Sequence, residues 1–184
     1  MSGSDDASLG RRRLLGLALA AGCGLMLPAA RPASARSAAR QLEFYNIHTD
    51  ERLRATYWED GRYFQDSLRE IDFILRDFRT GDVRTIDPQL LDLLHRLCVT
   101  MGHDAPIDVI SGYRCAATNA MLAARSSGVA RNSFHLHGMA IDIRLPGRLL
   151  AAVRDAATAL GRGGVGYYPG SDFVHLDTGP VRRW

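Results

Sequence analysis

Short stretches of alternating hydrophobic and polar residues run through this chain of 184 residues, a pattern typical of half-buried β-strands. The clearest case is 139–145, where Ile141 and Ile143 are predicted to point one way and Asp142 the other. The other stretches predicted to be strands are 41–47, 53–58, 107–110 and 173–177. A glycine-rich connection at 161–166 precedes the last of them.

Apolar residues at helical spacing lie between these strands. The sets with this spacing are Leu68, Ile71, Leu75 and Phe78, then Leu90, Leu94, Leu97 and Met101, and finally Leu150, Val153, Ala157 and Leu160. Asp87 followed by Pro88 marks the start of the second helix, and Gly102 marks its end. A more polar helix is predicted at 116–125. Because strands and helices are mixed rather than strictly alternating, the pattern predicts an α+β fold with a small antiparallel sheet and flanking helices.

The N-terminal segment has the features of an export signal. Three arginines at 11–13 precede a mostly apolar run at 14–27, and Ala33-Ser34-Ala35 offers a cleavage site of small residues. The paired arginines resemble a twin-arginine signal, and the alternative is lipoprotein processing before Cys23. We therefore expect residues 1–35 to be removed and residues 36–184 to act as one domain in the periplasm or cell envelope.

The leader also explains most of the positive charge of the chain. Glycines interrupt its apolar run and Pro28 follows it, which argues against a membrane span in the mature form. Up to Ala35 the charged residues are Arg11, Arg12, Arg13 and Arg31 against Asp5 and Asp6, so two of the three net positive charges belong to the leader. The mature domain is nearly neutral, and this argues against nucleic acid as a partner.

Two cysteines lie beyond the leader, Cys98 and Cys115. In an oxidising exported compartment they could form a disulfide. The alternative is that each is a small buried apolar side chain with a free thiol.

The residues that suggest chemistry are two histidines and an aspartate. His135 and Asp142 lie in the string Ser-x-His-x-x-Gly-x-Ala-x-Asp, which begins at Ser133, and His175 lies in the last predicted strand. Two imidazoles and one carboxylate suit a zinc ion that keeps a coordination position open, and such ions usually serve hydrolysis. Taken singly, each residue would more often be a surface group or a hydrogen-bonding partner. The alternation predicts that Asp142 and His175 come from neighbouring strands and His135 from a loop-to-strand junction.

Together with the surrounding motifs, this string resembles a known group of enzymes. Residues 111–184 resemble the zinc peptidases of the D-Ala-D-Ala carboxypeptidase and hedgehog-like fold, and more closely the murein endopeptidase K group of peptidoglycan hydrolases. The matching segments are 111–114, 118–119, 126–128, 133–142, 144–147, 163–168 and 173–179. The resemblance implies one zinc ion held by His135, Asp142 and His175, and peptidoglycan stem peptides as substrate.

The same resemblance suggests roles for three further residues. Arg114 is the candidate that stabilises the developing oxyanion, although a structural ion pair is the alternative. The general base could be Asp172, three residues before His175, or Asp177, two residues after it on the same strand face. Asp177 could instead orient His175. The sequence leaves this choice open.

Three other residues are candidate substrate contacts. Tyr113 and Tyr168 could line the cleft, or pack in the core or at the rim. His137 is predicted to share strand parity with His135, which would make it a fourth ligand or a substrate contact, and an exposed position is the alternative. Arg125 and Arg131 could meet stem-peptide carboxylates, although charges in such a loop are commonly solvated.

The resemblance implies a zinc-dependent peptidoglycan endopeptidase as the first hypothesis, with cross-links between two diaminopimelate residues among its substrates. The second is a carboxypeptidase or dipeptidase that trims the same peptides. A zinc-stabilised binding module without turnover is the third. Arg114 and the acids beside His175 favour an enzyme, because a binding module does not need them.

Overall fold

The strands of the domain pair into one sheet, and the helices pack around it. The computed structural model describes residues 38–126 and 128–184, so the predicted leader and Cys23 lie outside the described residues. The strands are β1 Arg40–Asn46, β2 Glu51–Glu59, β3 Arg62–Tyr63, β4 Ile107–Ser111, β5 Ala140–Arg144, β6 Gly164–Tyr168, β7 Phe173–Asp177 and β8 Arg182–Arg183. The helices are α1 Gln65–Ile74, α2 Pro88–Met101, α3 Ala116–Arg125 and α4 Leu150–Ala159. Two 3₁₀ helices span Phe134–His137 and Pro169–Ser171.

The sheet is larger and more mixed than predicted. Its strand order is β3-β2-β1-β4-β5-β7-β6-β8. β1 pairs with β4 in parallel, and so does β6 with β8, while the other neighbours are antiparallel. The prediction of a small antiparallel sheet is therefore wrong, although the mixture of helices and strands is confirmed. Two edge strands have only two residues each, too few to show a pattern, and a parallel pairing between distant segments leaves no local signal.

A hydrophobic core fills the space between the sheet and its helices. α2 packs on β1, and α4 packs on β6, β7 and α2. Ile141 and Ile143 of β5 are fully buried, as are Val174 and Leu176 of β7, which is the alternation expected from the sequence. Burying each of these side chains stabilises the fold by about 1.5–3 kcal/mol.

The ends of α2 follow from its sequence. The carboxylate of Asp87 accepts a hydrogen bond from the backbone N–H of Gln89, and Pro88 begins the helix, where its missing N–H costs nothing. Gly102 ends the helix in the left-handed conformation, with a φ of 55°. Both predicted boundaries are confirmed.

Asp92 ties α2 to the first strands of the sheet. Its carboxylate accepts hydrogen bonds from Arg40 at 2.6 Å, from the Tyr57 hydroxyl at 3.0 Å and from the Tyr63 hydroxyl at 2.8 Å. Burial opposes its ionisation, but these donors outweigh burial and hold the pKa of Asp92 below its usual range. One side chain therefore connects β1, β2 and β3 to the helix that covers them.

Three further findings concern the two cysteines and the length of the helices. Cys98 and Cys115 are free thiols, so the disulfide is not formed. Cys98 lies within α2, whereas Cys115 caps the start of α3, where its sulfur accepts from the Thr118 N–H. Among the residues described, no helix is long and apolar enough to cross a membrane.

Candidate metal centre

The register of β5 and β7 places two of the predicted ligands side by side. Asp142 is paired with His175 across these antiparallel strands, and Ser111 of β4 is paired with Asp142 on the other side. Because Ile141, Ile143, Val174 and Leu176 are in the core, strand alternation directs Asp142 and His175 to the opposite sheet face.

His135 reaches the same point from a 3₁₀ helix rather than from a strand. The helix is capped by Ser133, whose hydroxyl accepts from the His135 N–H, and it ends at Gly138 with a φ of 66°. Gly138 packs so closely against Thr85 that a Cβ there would lie 2.3 Å from the Thr85 carbonyl oxygen. Only glycine combines this conformation with this approach, so Gly138 fixes the direction in which the chain enters β5.

The three side chains form a compact triangle of donor atoms. The Nε2 atom of His135 lies 3.2 Å from Asp142 Oδ1 and 3.2 Å from His175 Nδ1, and the last two atoms are 2.8 Å apart. Ligand atoms of a tetrahedral zinc ion with bonds of about 2.05 Å lie ~3.3 Å from each other. The triangle thus has nearly the size that one such ion requires, and in the described part of the chain its three residues form a group that could hold a metal ion.

Hydrogen bonds on the far side of each imidazole select the nitrogen that faces the triangle. The Nδ1–H of His135 donates to the Gly112 carbonyl at 2.6 Å, which leaves Nε2 with a free lone pair. The Nε2–H of His175 donates to Asp177 at 3.0 Å, which leaves Nδ1 free. A Cβ at Gly112 would lie 2.4 Å from the Leu75 carbonyl oxygen. Glycine is therefore needed at the residue whose own carbonyl accepts from His135.

The charges of the triangle also suit a cation. Burial lowers the pKa of His135, which keeps this imidazole neutral. For His175 burial acts in the same direction, but the carboxylates of Asp142 and Asp177 outweigh it and raise its pKa. Burial opposes ionisation of Asp142 as well, yet the two histidines hold its pKa well below the usual range. The cluster therefore carries one negative charge, on Asp142, which stays ionised, and the two imidazoles face it.

Both carboxylate oxygens of Asp177 accept hydrogen bonds from protein groups. Besides His175, its oxygens accept from Arg182 at 2.7 and 3.0 Å and from the backbone N–H groups of Gly164 and Gly179 at 3.0 and 2.8 Å. Its exposed fraction is 0%. Burial disfavours the charge, but the donors from His175, Arg182 and the backbone outweigh it and hold the pKa of Asp177 far below the usual range. A carboxylate in this state holds an imidazole in place and is a poor proton acceptor.

Arg114 contacts the same cluster from the end of β4. Its Nη2 donates to Asp142 Oδ2 at 3.0 Å, and its Nε donates to the Ser111 hydroxyl at 3.0 Å. The guanidinium thus occupies the oxygen of Asp142 that is not directed at the histidines. This contact leaves one oxygen of Asp142 directed at the two histidines and brings a positive charge to the edge of the triangle.

Asp172 lies outside this network. It follows the second 3₁₀ helix in a left-handed conformation, its side chain is 58% exposed, and its Oδ2 lies 2.5 Å from Arg144 Nη1. Its neighbours in the chain, Ser171 and Phe173, both line the cleft above the triangle. Asp172 is therefore a solvent-exposed carboxylate at the rim of the cleft, and its exposed ion pair with Arg144 contributes little to stability.

The triangle opens into a cleft of about 800 Å³. One wall is aromatic: Tyr168 stacks on Phe173 with ring centres 4.6 Å apart, and its hydroxyl accepts from the Trp184 indole N–H at 2.6 Å. The Trp184 ring lies 5.3 Å from the His175 ring. The loop 128–133 contributes another part of the lining, and the side-chain amide of Asn119 fixes this loop by donating to two of its backbone carbonyls.

Two of the predicted substrate contacts are placed elsewhere. Tyr168 lines the cleft, as expected. Tyr113 is half-buried against the hydrophobic core and is not among the described residues that line the cleft. The prediction that His137 shares a direction with His135 is wrong, because the segment is a 3₁₀ helix of three residues per turn rather than a strand. His137 is exposed and likewise lies outside the cleft lining described here.

Sequence patterns missed three residues that shape the site. Asp77 is buried and accepts a hydrogen bond from the Cys115 N–H. Arg182 forms an ion pair with Asp177, and the Trp184 ring packs against the His175 ring. None belongs to a local motif, and nothing in the sequence distinguishes a buried aspartate from an exposed one. Only the Arg182–Asp177 proximity could have been suspected, because β7 must turn back soon after Asp177.

A triangle of two histidines and one aspartate at the base of an open cleft defines a candidate single-metal centre of the kind that hydrolases use. Residues 34–184 match the sequence profile of a family described as peptidoglycan L,D-endopeptidase MepK. The chain belongs to this family. It is 40% identical to peptidoglycan L,D-endopeptidase MepK of Escherichia coli (strain K12), over 98% of this chain and 100% of that protein. It is also 45% identical to the probable peptidoglycan L,D-endopeptidase MepK of Haemophilus influenzae, over 79% of this chain and 78% of that protein.

Proposed function

We propose that this protein is a zinc-dependent peptidoglycan endopeptidase that hydrolyses amide bonds in the peptide cross-links of murein. The observation that carries the proposal is the triangle of His135, Asp142 and His175, with its donor atoms 2.8–3.2 Å apart, in a chain of the MepK family. By analogy with the relatives' names, the bond joins an L-configured carbonyl to a D-configured amine. Family membership also favours a D-Ala-D-Ala carboxypeptidase and hedgehog-like architecture for the domain.

The donor set fits zinc in particular. Two imidazole nitrogens and one carboxylate are common protein ligands of hydrolytic zinc, and all three come from buried, hydrogen-bonded side chains. When bound, zinc would supply Lewis-acid activation of water and of the scissile carbonyl. Gly112 and Asp177 would hold the two imidazoles in the tautomers that coordination requires.

Arg114 is the proposed oxyanion-stabilising residue. Its Nη2 and Nε are occupied by Asp142 and Ser111, but within the described residues its Nη1 has no hydrogen-bond partner, and the side chain lines the cleft. The guanidinium is therefore held rigidly, with donors left for the carbonyl oxygen of a substrate. A fixed positive charge of this kind stabilises the negative charge that develops during amide hydrolysis.

Asp172 is the proposed general base, and Asp177 the residue that positions His175. Asp177 has both oxygens occupied and a strongly lowered pKa, so it has no capacity to accept and return a proton. Asp172 is solvated and sits between two residues of the cleft wall. On substrate binding it would exchange Arg144 for the attacking water and later give the proton to the leaving amine.

A periplasmic or cell-envelope location follows from the proposed substrate. The predicted leader at 1–35, with its twin-arginine-like start, supports export and remains a proposal. N-terminal sequencing of protein purified from the envelope fraction tests it. An N-terminus at Arg36 supports cleavage after Ala35, and a lipidated Cys23 contradicts it.

The enzymatic proposal is tested by digestion of purified muropeptide dimers of known linkage. The expected products are two monomers whose summed masses exceed the mass of the dimer by one water. They should form in the presence of zinc, and a chelator should prevent their formation. Release of only a terminal amino acid would indicate a carboxypeptidase instead. Intact dimers after incubation with fully zinc-loaded protein would identify a binding module and overturn the proposal. The Asp142→Asn variant is the matched inactive control.

A further inference from the structure

One arginine of the cleft has no carboxylate partner. Of the arginines that the structure describes, three line the cleft: Arg79, Arg114 and Arg182. Arg114 pairs with Asp142, and Arg182 pairs with Asp177. Arg79 is exposed and forms no ion pair with any carboxylate in the described part of the chain. Its positive charge at the wall of the cleft is therefore available to bind an anionic group of a ligand.

The turn that carries Arg79 is joined by hydrogen bonds to the segment that carries Arg114. Asp77 is 1% exposed, and its carboxylate accepts from the backbone N–H of Arg79 and from that of Cys115, each at 3.0 Å. Burial opposes this charge, but the donors from Thr118, Cys115 and Arg79 hold the pKa of Asp77 below its usual range. Because Cys115 directly follows Arg114 in the chain, one buried carboxylate fixes both arginines relative to each other.

The side chain of Arg79 also stacks on an aromatic ring. Its guanidinium lies over the Phe78 ring, 4.1 Å from the ring centre, and the imidazole of His48 stacks on the same ring at 3.8 Å. His48 is itself held by a contact of 3.0 Å between its Nε2 and the Ile110 carbonyl. A guanidinium stacked in this way keeps its N–H edge available and loses little entropy when it binds a planar anion.

We propose that Arg79 binds a free carboxylate of the substrate peptide, next to the scissile amide, and so selects substrates in which this group is not amidated. The inference rests on the proposed function. When the leaving amine is the α-amine of a D-configured residue, the carbon that bears it also bears a carboxyl group, which is free unless it is amidated. The fork of donors on a guanidinium matches a carboxylate with two parallel hydrogen bonds. Arg79 is thus a specificity-determining residue on the leaving-group side.

The arginines suggested by sequence for this task, Arg125 and Arg131, are not among the described residues that line the cleft. Arg84 offers a closer comparison. It lies five residues after Arg79, is exposed, and is also not among those described lining residues. Arg84→Gln removes the same charge from the same loop without changing the cleft wall.

The test compares two synthetic cross-linked peptides that differ only in this group, one with the α-carboxylate and one with a carboxamide. Arg79→Gln is expected to lower kcat/KM for the carboxylate peptide by about tenfold or more and to leave the carboxamide peptide nearly unaffected. Arg79→Lys should keep part of the preference, and Arg84→Gln should match the wild type. Zinc content and unfolding midpoint are measured for every variant.

If Arg79→Gln lowers kcat/KM equally for both peptides, or for neither, the proposed role of Arg79 is wrong. The proposed endopeptidase activity would still stand. Wild-type protein that is loaded with zinc and cleaves neither peptide would overturn the proposed function and this inference with it.

Discussion

The Nε2 atom of His175 lies 3.0 Å from Oδ2 of Asp177, and this contact decides which nitrogen of His175 faces Asp142. Asp177 in turn is held by Arg182 and by two backbone N–H groups. The orientation of a candidate metal ligand is therefore set by a carboxylate that is itself rigid. This arrangement supports the proposal that the two acids near His175 have different roles, a choice that the spacing in the sequence left open.

Replacing Asp177 by asparagine is expected to weaken zinc binding by about 10–100-fold, because the amide no longer supplies the charge that fixes and strengthens His175. Competition with a chromogenic chelator measures the affinity. Asp155→Asn, which removes an exposed carboxylate paired with Arg154, is the control and should bind zinc like the wild type. Unchanged zinc affinity with abolished turnover would instead assign Asp177 as the base.

Replacing Asp172 by asparagine is expected to leave zinc bound and to lower kcat by at least about 100-fold, since a general base contributes ~10²–10⁴. Turnover of a muropeptide dimer, with zinc measured on the same sample, checks this. Asp108, whose carboxylate lies 3.7 Å from Arg144, provides a control acid beside the same arginine. If Asp172→Asn is as active as Asp108→Asn, Asp172 is not the base.

Replacing Arg114 by lysine keeps the charge but loses the planar contact that joins Asp142 and Ser111. We expect kcat to fall about 100-fold, the usual effect of removing one oxyanion donor, while zinc is retained. Steady-state kinetics on a dimer substrate distinguishes the roles. A large rise in KM with an unchanged kcat would show that Arg114 binds substrate rather than the transition state.

Replacing Asp92 by asparagine is expected to destabilise the domain by about 2 kcal/mol at neutral pH, because three donors lose a charged acceptor. The pKa of Asp92 is lowered in the folded state, so its contribution is full above the unfolded pKa of about 4 and is lost as the pH falls through the lower folded value. The difference in unfolding free energy between wild type and variant should therefore shrink below about pH 4. Urea denaturation across this range measures it.

Asp66→Asn is the control for that experiment. Asp66 pairs with Arg69 on the surface of α1, where ion pairs contribute little. It should change stability by less than about 0.5 kcal/mol. A pH-independent difference for Asp92→Asn would mean that lost packing, rather than lost charge, causes the destabilisation.

The elements that the sequence predicted well have strong local signals. The caps of α2 at Asp87 and Gly102 and the alternation in β5 and β7 depend on neighbouring residues only. The predicted ligand residues lie together for the same reason, because the parity of Asp142 and His175 directs both to one sheet face. The pairing of β1 with β4 could not be predicted, since it joins segments about sixty residues apart in a sequence without a repeat.

The direction of His137 was predicted wrongly because a four-residue 3₁₀ helix resembles the start of a strand in sequence. The partners of Asp177 could not be foreseen either. They come from the first residue of β6, the turn after β7 and the C-terminal β8, and these contacts depend on how distant strands pair in the folded sheet. Arg79 is a similar case, because its place in the cleft depends on the buried Asp77.

We propose that one zinc ion held by His135, Asp142 and His175 supports hydrolysis of peptidoglycan cross-links. The most direct test of this proposal is titration of metal-free protein with zinc while the cleavage of a muropeptide dimer is followed. Activity is predicted to rise from zero in proportion to added zinc and to level off at one equivalent, and Asp142→Asn should stay inactive throughout. Full cleavage by the metal-free protein, or by Asp142→Asn, would contradict the claim.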